Sequence, residues 1–251
     1  MCYYNSVNLK ATDSINLNEL EKDLKNFNLT VPLHDGFSYS SYPIIKPDYN
    51  NCDWNVVQME WGFLPYWLKN REAVQKFRFG YKDEKGKFHT PITTLNAIGE
   101  ELLLPNKMYR EAAISRRCLF LSTGFFEWRH EPAIGKKGQP LKSVNKLPHH
   151  IKLKEQELFF IAGIWNTWID KETGETVDTC ALVTTKANEL MEHIHNVKKR
   201  MPTILPKELA GEWISNDLSE ERITALATYQ IPSEKMKATL IAKDFKTSLN
   251  F

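Results

Sequence analysis

The sequence predicts an α+β fold: a single domain over residues 1–251, with a large, mostly antiparallel, barrel-like β core flanked by helices. Three observations carry that prediction. Strand-like segments outnumber helical ones. The two kinds do not alternate as they would around a parallel sheet. No repeat or low-complexity linker divides the chain, and a sheet-rich domain can fill this length. Hydrophobic residues make up 42% and charged residues 25%, as in ordinary folded soluble proteins, so a mainly disordered chain is excluded.

Leu17, Leu20, Leu24 and Phe27 form an apolar stripe at helical spacing and predict an amphipathic helix. Val57, Met59 and Trp61 alternate with Val56, Gln58 and Glu60, the period of a half-buried strand. Cys118–Leu121 reads as a more deeply buried strand, as do Leu158–Ile164 and Thr179–Thr184. Between them, His130–Lys146 is rich in Gly, Pro and Lys and predicts a surface loop. Asn188–His195 reads as a short helix with Leu190, Met191 and Ile194 inward. Leu209 and Trp213 stand at helical spacing, and Glu220-Glu221 suit the positive end of another helix.

The longest apolar run, Leu158–Trp165, is far shorter than the roughly 20 residues a membrane-spanning helix needs, so no membrane partner is expected. Met-Cys-Tyr-Tyr-Asn-Ser at the start lacks the basic and apolar segments of a secretory signal. The four cysteines, Cys2, Cys52, Cys118 and Cys180, form no CxxC pair, which argues against a cysteine-built zinc site and fits reduced thiols in the cytoplasm. The net charge of +2 neither demands nor forbids nucleic acid, because a basic groove can be offset elsewhere.

Four places could carry chemistry, and a fifth could stack on a base. Cys2 follows an initiator Met that aminopeptidases remove before small side chains. Removal would leave a thiol and an α-amine on one residue, with ordinary pKa values of about 8.5 and about 8. Such an aminothiol closes a five-membered thiazolidine on an aldehyde; otherwise Cys2 is only an incidental terminal residue. Glu127, between Phe126 and Trp128, is either a carboxyl raised by an apolar setting or an ion-paired strand-edge residue. His195, followed by Lys198, Lys199 and Arg200, is either an acid–base group beside a phosphate-binding patch or the solvated end of a helix. His193 and His195 lack nearby acidic or Cys ligands, so no metal is expected. Asn96 offers a donor and an acceptor to an amine or a sugar hydroxyl. Trp67, in the segment Trp61–Trp67, is either a base-stacking platform or part of the core.

These pieces occur in an order that resembles one family. The order runs from Met1-Cys2 to Trp61–Trp67, then Asn96-Ala97 with Glu100, then Arg117-Cys118-Leu119 leading to Gly124–Trp128. It continues through Ala162–Trp165, Thr184-Thr185 with Ala187-Asn188, and Ile194-His195 with Arg200-Met201-Pro202. Together they resemble the SRAP family, the SOS response-associated peptidases, over residues 2 to about 205. The resemblance implies a protein that binds single-stranded DNA and reacts through its terminal cysteine with the aldehyde of an abasic site. The implied product is a thiazolidine DNA–protein crosslink that shields the lesion, with associated autopeptidase and lyase-type activities. Cys2 would be the nucleophile, Asn96 would position the amine and sugar, Glu127 would shuttle protons, and His195 would open the sugar and promote reversal. Trp67 and Thr184 match DNA-contacting positions. Lys198, Lys199 and Arg200 would meet phosphates. No cofactor is implied, a monomer is the expected state, and association with the nucleoid would follow from DNA binding.

The sequence departs from the family pattern in four places. Tyr3-Tyr4 replace the usual Gly-Arg, Ile98 replaces an Arg, Val197-Lys198-Lys199 lengthen the path from His195 to Arg200, and the Tyr-Asn-x-Ala-Pro pattern is missing around Phe37–Pro43. An amidohydrolase using Cys2, with no DNA role, remains the alternative, and a non-catalytic single-strand binder is a third reading.

Overall fold

The computed structural model describes residues 2–8, 14–17, 20–23 and 30–248. Along the chain, β1 (Tyr4–Asn8) is followed by β2 (Ser14–Leu17), β3 (Leu20–Asp23), β4 (Thr30–Asp35), β5 (Ser41–Asp48) and β6 (Asp53–Trp61). Then come α1 (Arg71–Phe79), β7 (Tyr81–Lys82), β8 (Phe88–His89), β9 (Asn96–Ile98), α2 (Arg110–Ser115) and β10 (Arg117–Ser122). The long strands β11 (Gly124–Ile134), β12 (Pro140–Leu153), β13 (Phe159–Ile169) and β14 (Thr176–Lys186) lead to α3 (Glu189–Ile194). The chain closes with β15 (Arg200–Pro202), β16 (Ile204–Leu205), α4 (Lys207–Trp213), α5 (Glu220–Ala227), β17 (Met236–Leu240) and α6 (Phe245–Ser248).

Strands β14, β6, β5, β10 and β13 pair in that order, and β13 returns to β14, so the five close into a barrel. All of these pairings are antiparallel except β6 with β14. The closed core removes free edges and explains why β10 is buried at all six of its positions. Gly163 on β13 lies opposite Cys118 on β10, where a Cβ would sit 2.8 Å from the Phe120 ring and 3.0 Å from the Cys118 sulfur. Only glycine lets the two strands carry those side chains inward. Buried Arg117 binds the open ends of two helices. Its guanidinium donates to the carbonyls of Ala113 and Ile114 near the end of α2, and to those of Trp213, the last residue of α4, and Ser215 just beyond it, at 2.7 and 2.5 Å.

A second sheet runs β17-β12-β11-β1-β4 and holds the amino-terminal strand. β1 pairs with β11, Tyr4 opposite Phe126, and with β4 on its other side. Buried side chains fix it further. The Ser122 hydroxyl donates to the Asn5 amide oxygen at 2.6 Å, and the Ser6 hydroxyl to the Gly124 carbonyl at 2.8 Å.

The predicted strands fall on β6, β10, β13 and β14, with Leu158 just ahead of β13, and the predicted helices at 188–195, 209–213 and 220–221 fall on α3, α4 and α5. The helix expected over Leu17–Phe27 is corrected. Ile15 and Leu17 point into the core from β2, which pairs with β3, while Leu24 and Phe27 lie outside the described residues. The stripe matched a helix, but alternation over 14–17 matches a strand equally well. His130–Lys146 is also corrected. It forms the outer arms of the β11–β12 hairpin, closed by Gly135 and Gly138. Ladder hydrogen bonds satisfy its backbone while its side chains stay exposed, so no apolar alternation marked it as strand. On β6, Val56 is buried and Val57 only half-buried. Among the described residues no helix is long and apolar enough to cross a membrane.

Candidate functional site

Pairing with β11 draws the chain start toward Glu127. Cys2 is buried just upstream of β1, with its Sγ 3.6 Å from the Tyr4 carbonyl oxygen. Burial, reinforced by the nearby Glu127 carboxylate, pushes the Cys2 thiol far above its ordinary range. The thiol is therefore held protonated and needs a base before it can attack.

Glu127 provides a group of the right strength. Loss of hydration raises its carboxyl to about 7, so near neutral pH it exists in both acid and base forms. His195 meets it from the other side, with its Nδ1 3.8 Å from a Glu127 oxygen. The sequence arranges that meeting through α3. The Asn188 side chain accepts from the Met191 N–H and starts the helix, and His195 ends it. Beyond the helix, the Asn196 side chain bonds both backbone groups of His130 on β11, at 3.0 and 2.8 Å, and Arg129 donates to the His193 carbonyl. These bonds dock the end of α3 against the strand that carries Glu127.

The His195 Nδ1–H donates to the Arg200 carbonyl at 2.8 Å, which leaves Nε2 as an acceptor. Burial lowers this imidazole to about 4, so it is neutral at pH 7. A cavity of about 490 Å³ opens beside the pair, lined by Tyr3, Tyr4, Glu127, Trp128, His195 and Lys198, with His130, Lys146, Val197 and Lys246 at its margin. A carboxyl with mixed protonation and a neutral imidazole can move protons between a carbonyl compound and the Cys2 end of the chain.

The other predicted residues are placed differently. Asn96 is buried on β9, outside the cavity lining, and neither atom of its side-chain amide has a hydrogen-bond partner among the described residues. It approaches the chain start indirectly: Gly36 N–H donates to the Tyr3 carbonyl, and a Cβ on Gly36 would sit 3.2 Å from Leu95. Trp67 is partly exposed and lines a different cavity of about 740 Å³, with Tyr66 and Trp165. Thr184 is fully buried, its hydroxyl donating to the Ala97 carbonyl. Arg200 donates to the Thr184 carbonyl and to Glu100 at 2.7 Å, so its charge is held inside the protein. Lys199 faces Glu192 at 3.8 Å, whereas Lys198 opens on the Glu127 cavity. Among the described residues no three His, Cys, Asp or Glu side chains gather as metal ligands.

Sequence reasoning missed Asn196, Tyr4 and Lys246. Asn196 carried a signal, as an amide directly after His195. Lys246, whose Nζ lies 3.7 Å from the centre of the Tyr4 ring, carried none, because only tertiary packing brings α6 to the chain start.

The sequence pattern of the SOS response associated peptidase (SRAP) family matches residues 13–248. The chain belongs to the SRAP family. Abasic site processing protein YoqW of Bacillus subtilis (strain 168) is 31% identical over 206 residues, covering 78% of this chain and 76% of that protein. Abasic site processing protein HMCES of Gallus gallus is 25% identical over 179 residues, covering 68% of this chain and 48% of that protein. A crystal structure of a Bacteroides thetaiotaomicron protein superposes with a TM-score of 0.74 at 30% identity, covering 98% of this chain and 94% of that one. A Bordetella bronchiseptica protein shares the fold alone, with a TM-score of 0.64 at 17% identity and coverage of 96% and 100%. The SRAP resemblance and the α+β barrel read from the sequence therefore both hold, and abasic site processing is the named activity of the SRAP relatives.

Proposed function

We propose that this SRAP protein captures abasic sites in single-stranded DNA through Cys2 once removal of Met1 frees its α-amine. The supporting observation is the placement of a carboxyl with a pKa of about 7 beside the Cys2 thiol and within 3.8 Å of a neutral imidazole. The amine adds to the sugar aldehyde and water leaves, forming a C=N bond. The thiol then adds across that bond, its sulfur to carbon and its proton by way of Glu127 to nitrogen, closing the thiazolidine. Glu127 first donates a proton to the departing oxygen and then accepts one from sulfur. His195, neutral and with Nε2 as its accepting nitrogen, assists opening of the closed sugar and later reversal. Asn96, with a buried amide that has no hydrogen-bond partner among the described residues, orients the amine or the sugar. Trp67, Thr184, Lys198, Lys199 and Arg200 form or support the DNA-binding side, and the protein acts as a cytoplasmic monomer that joins the nucleoid through DNA.

The peptidase named in the family description is a second use of the same groups, with Cys2 attacking an amide and Glu127 as base. An abasic oligonucleotide separates the two. Retarded migration on a denaturing gel that disappears in Cys2→Ala, and in a protein whose terminus carries an uncleaved extension, supports capture. Amide turnover with no DNA adduct overturns it.

A further inference from the structure

We propose that the β11–β12 hairpin is a cationic arm that tracks the nucleic-acid backbone flanking the lesion; this rests on the proposed DNA-capture role of the Glu127 site. Residues 129–146 carry Arg129, Lys136, Lys137, Lys142 and Lys146 against one carboxylate, Glu131. The arm therefore has a net charge of +4, while the whole chain has +2.

A few lysines elsewhere are held by carboxylates, Lys22 by Asp53, Lys46 by Asp178 and Lys107 by Glu101. Lys136, Lys137, Lys142 and Lys146 are exposed, and among the described residues none has a carboxylate within 4 Å. Cations left unpaired on a projecting ribbon keep their full field for an outside polyanion. The other end of the ribbon is the reaction site. His130 and Lys146 face each other across the ladder and both reach the cavity that contains Glu127 and His195. From His130 to the turn at Gly135 is five residues, about 17 Å at strand rise. That matches roughly five phosphates at duplex spacing. A strand leaving the cavity along this ribbon would meet positive charge over that whole length.

The test compares the parent with Lys136→Glu/Lys137→Glu/Lys142→Glu, using the matching Gln triple as a milder control. Binding of intact oligonucleotides is measured against salt, with either a 20-nucleotide flank or only a few nucleotides around the site, single-stranded or with a duplex flank. Each phosphate that the arm no longer neutralises lowers the salt slope by about 0.7 on single strands and about 0.9 on duplex. The expected result, on the flank that the arm follows, is a slope lower by about 2 if that flank is single-stranded or about 3 if it is duplex, and binding at least tenfold weaker, with Gln intermediate. The size of the effect on each probe shows which flank the arm follows. On the short probe, affinity and adduct formation at an abasic site should stay at the parent level. Equal slopes and affinities for parent and Glu triple on every long-flank probe overturn the arm, whether its tip then serves a protein partner or nothing. If no abasic probe gives an adduct with the parent, the capture reading fails, and the salt slopes still report on the arm.

Discussion

Glu127 carries an energetic conflict in the site, because a group that ionises near 4.5 in solvent is held to about 7 where it is buried. Unfolding therefore releases its proton between those two values, and stability declines as pH rises through the window. Above pH 7 the full cost, about 3 kcal/mol, weighs on the folded state. Glu127→Gln should thus melt at a higher temperature than the parent at pH 8, with the advantage gone at pH 4. The same variant should lose the inflection near pH 7 in adduct formation. Melting curves with a pH-independent difference would show that the carboxyl is not held protonated by burial. Among the proposed catalytic residues, Cys2 and Glu127 were legible because their chemistry announces itself in local sequence. The state of Asn96 was not, since the lack of a hydrogen-bond partner for its amide among the described residues shows only in the folded structure.

At the level of elements, the site depends on two attachments: β1 to β11, and the end of α3 to β11. Arg117 performs a similar joining role at the start of β10, where four carbonyls at or just past helix ends converge on one guanidinium. Arg117→Leu leaves those carbonyls without a donor and should lower stability by about 3 kcal/mol or more, read as a shift in the urea midpoint. A change below about 1 kcal/mol would mean that water replaces the guanidinium. Strands β10, β13 and β14 could be read directly because each carries an uninterrupted apolar run of four residues or more. The outer hairpin could not, since a ribbon pairing only with itself above the surface needs no apolar face. The segment around Leu17 failed for a different reason. The alternation over 14–17 and the helical stripe that begins at Leu17 share that leucine, and β2 buries it beside Ile15 in the core.

Across the whole molecule, three desolvated histidines contribute to the response to acid. His34, His150 and His195 are each lowered to about 4 by burial, against an ordinary value of 6.5. Each binds a proton on unfolding throughout the interval between those values, so stability should fall as pH drops from 6.5 to 4. Glu127 acts in the opposite direction over part of that range and moderates the fall without cancelling three imidazoles. Unfolding midpoints that stay level from pH 6.5 to 4 would contradict the buried neutral state of these rings. The barrel class was legible from strand content and irregular strand order, whereas its closure was not. Pairing of β13 with β14 on one side and β10 on the other is a long-range fact that no local pattern encodes.

The most direct measurement is the intact mass of the protein, with Met1 removed and thiols reduced, after incubation with an oligonucleotide bearing one abasic site. Thiazolidine capture predicts a species equal to protein plus DNA minus one water, stable without added reductant and absent in Cys2→Ala. Protein and DNA recovered only at their separate masses would contradict it.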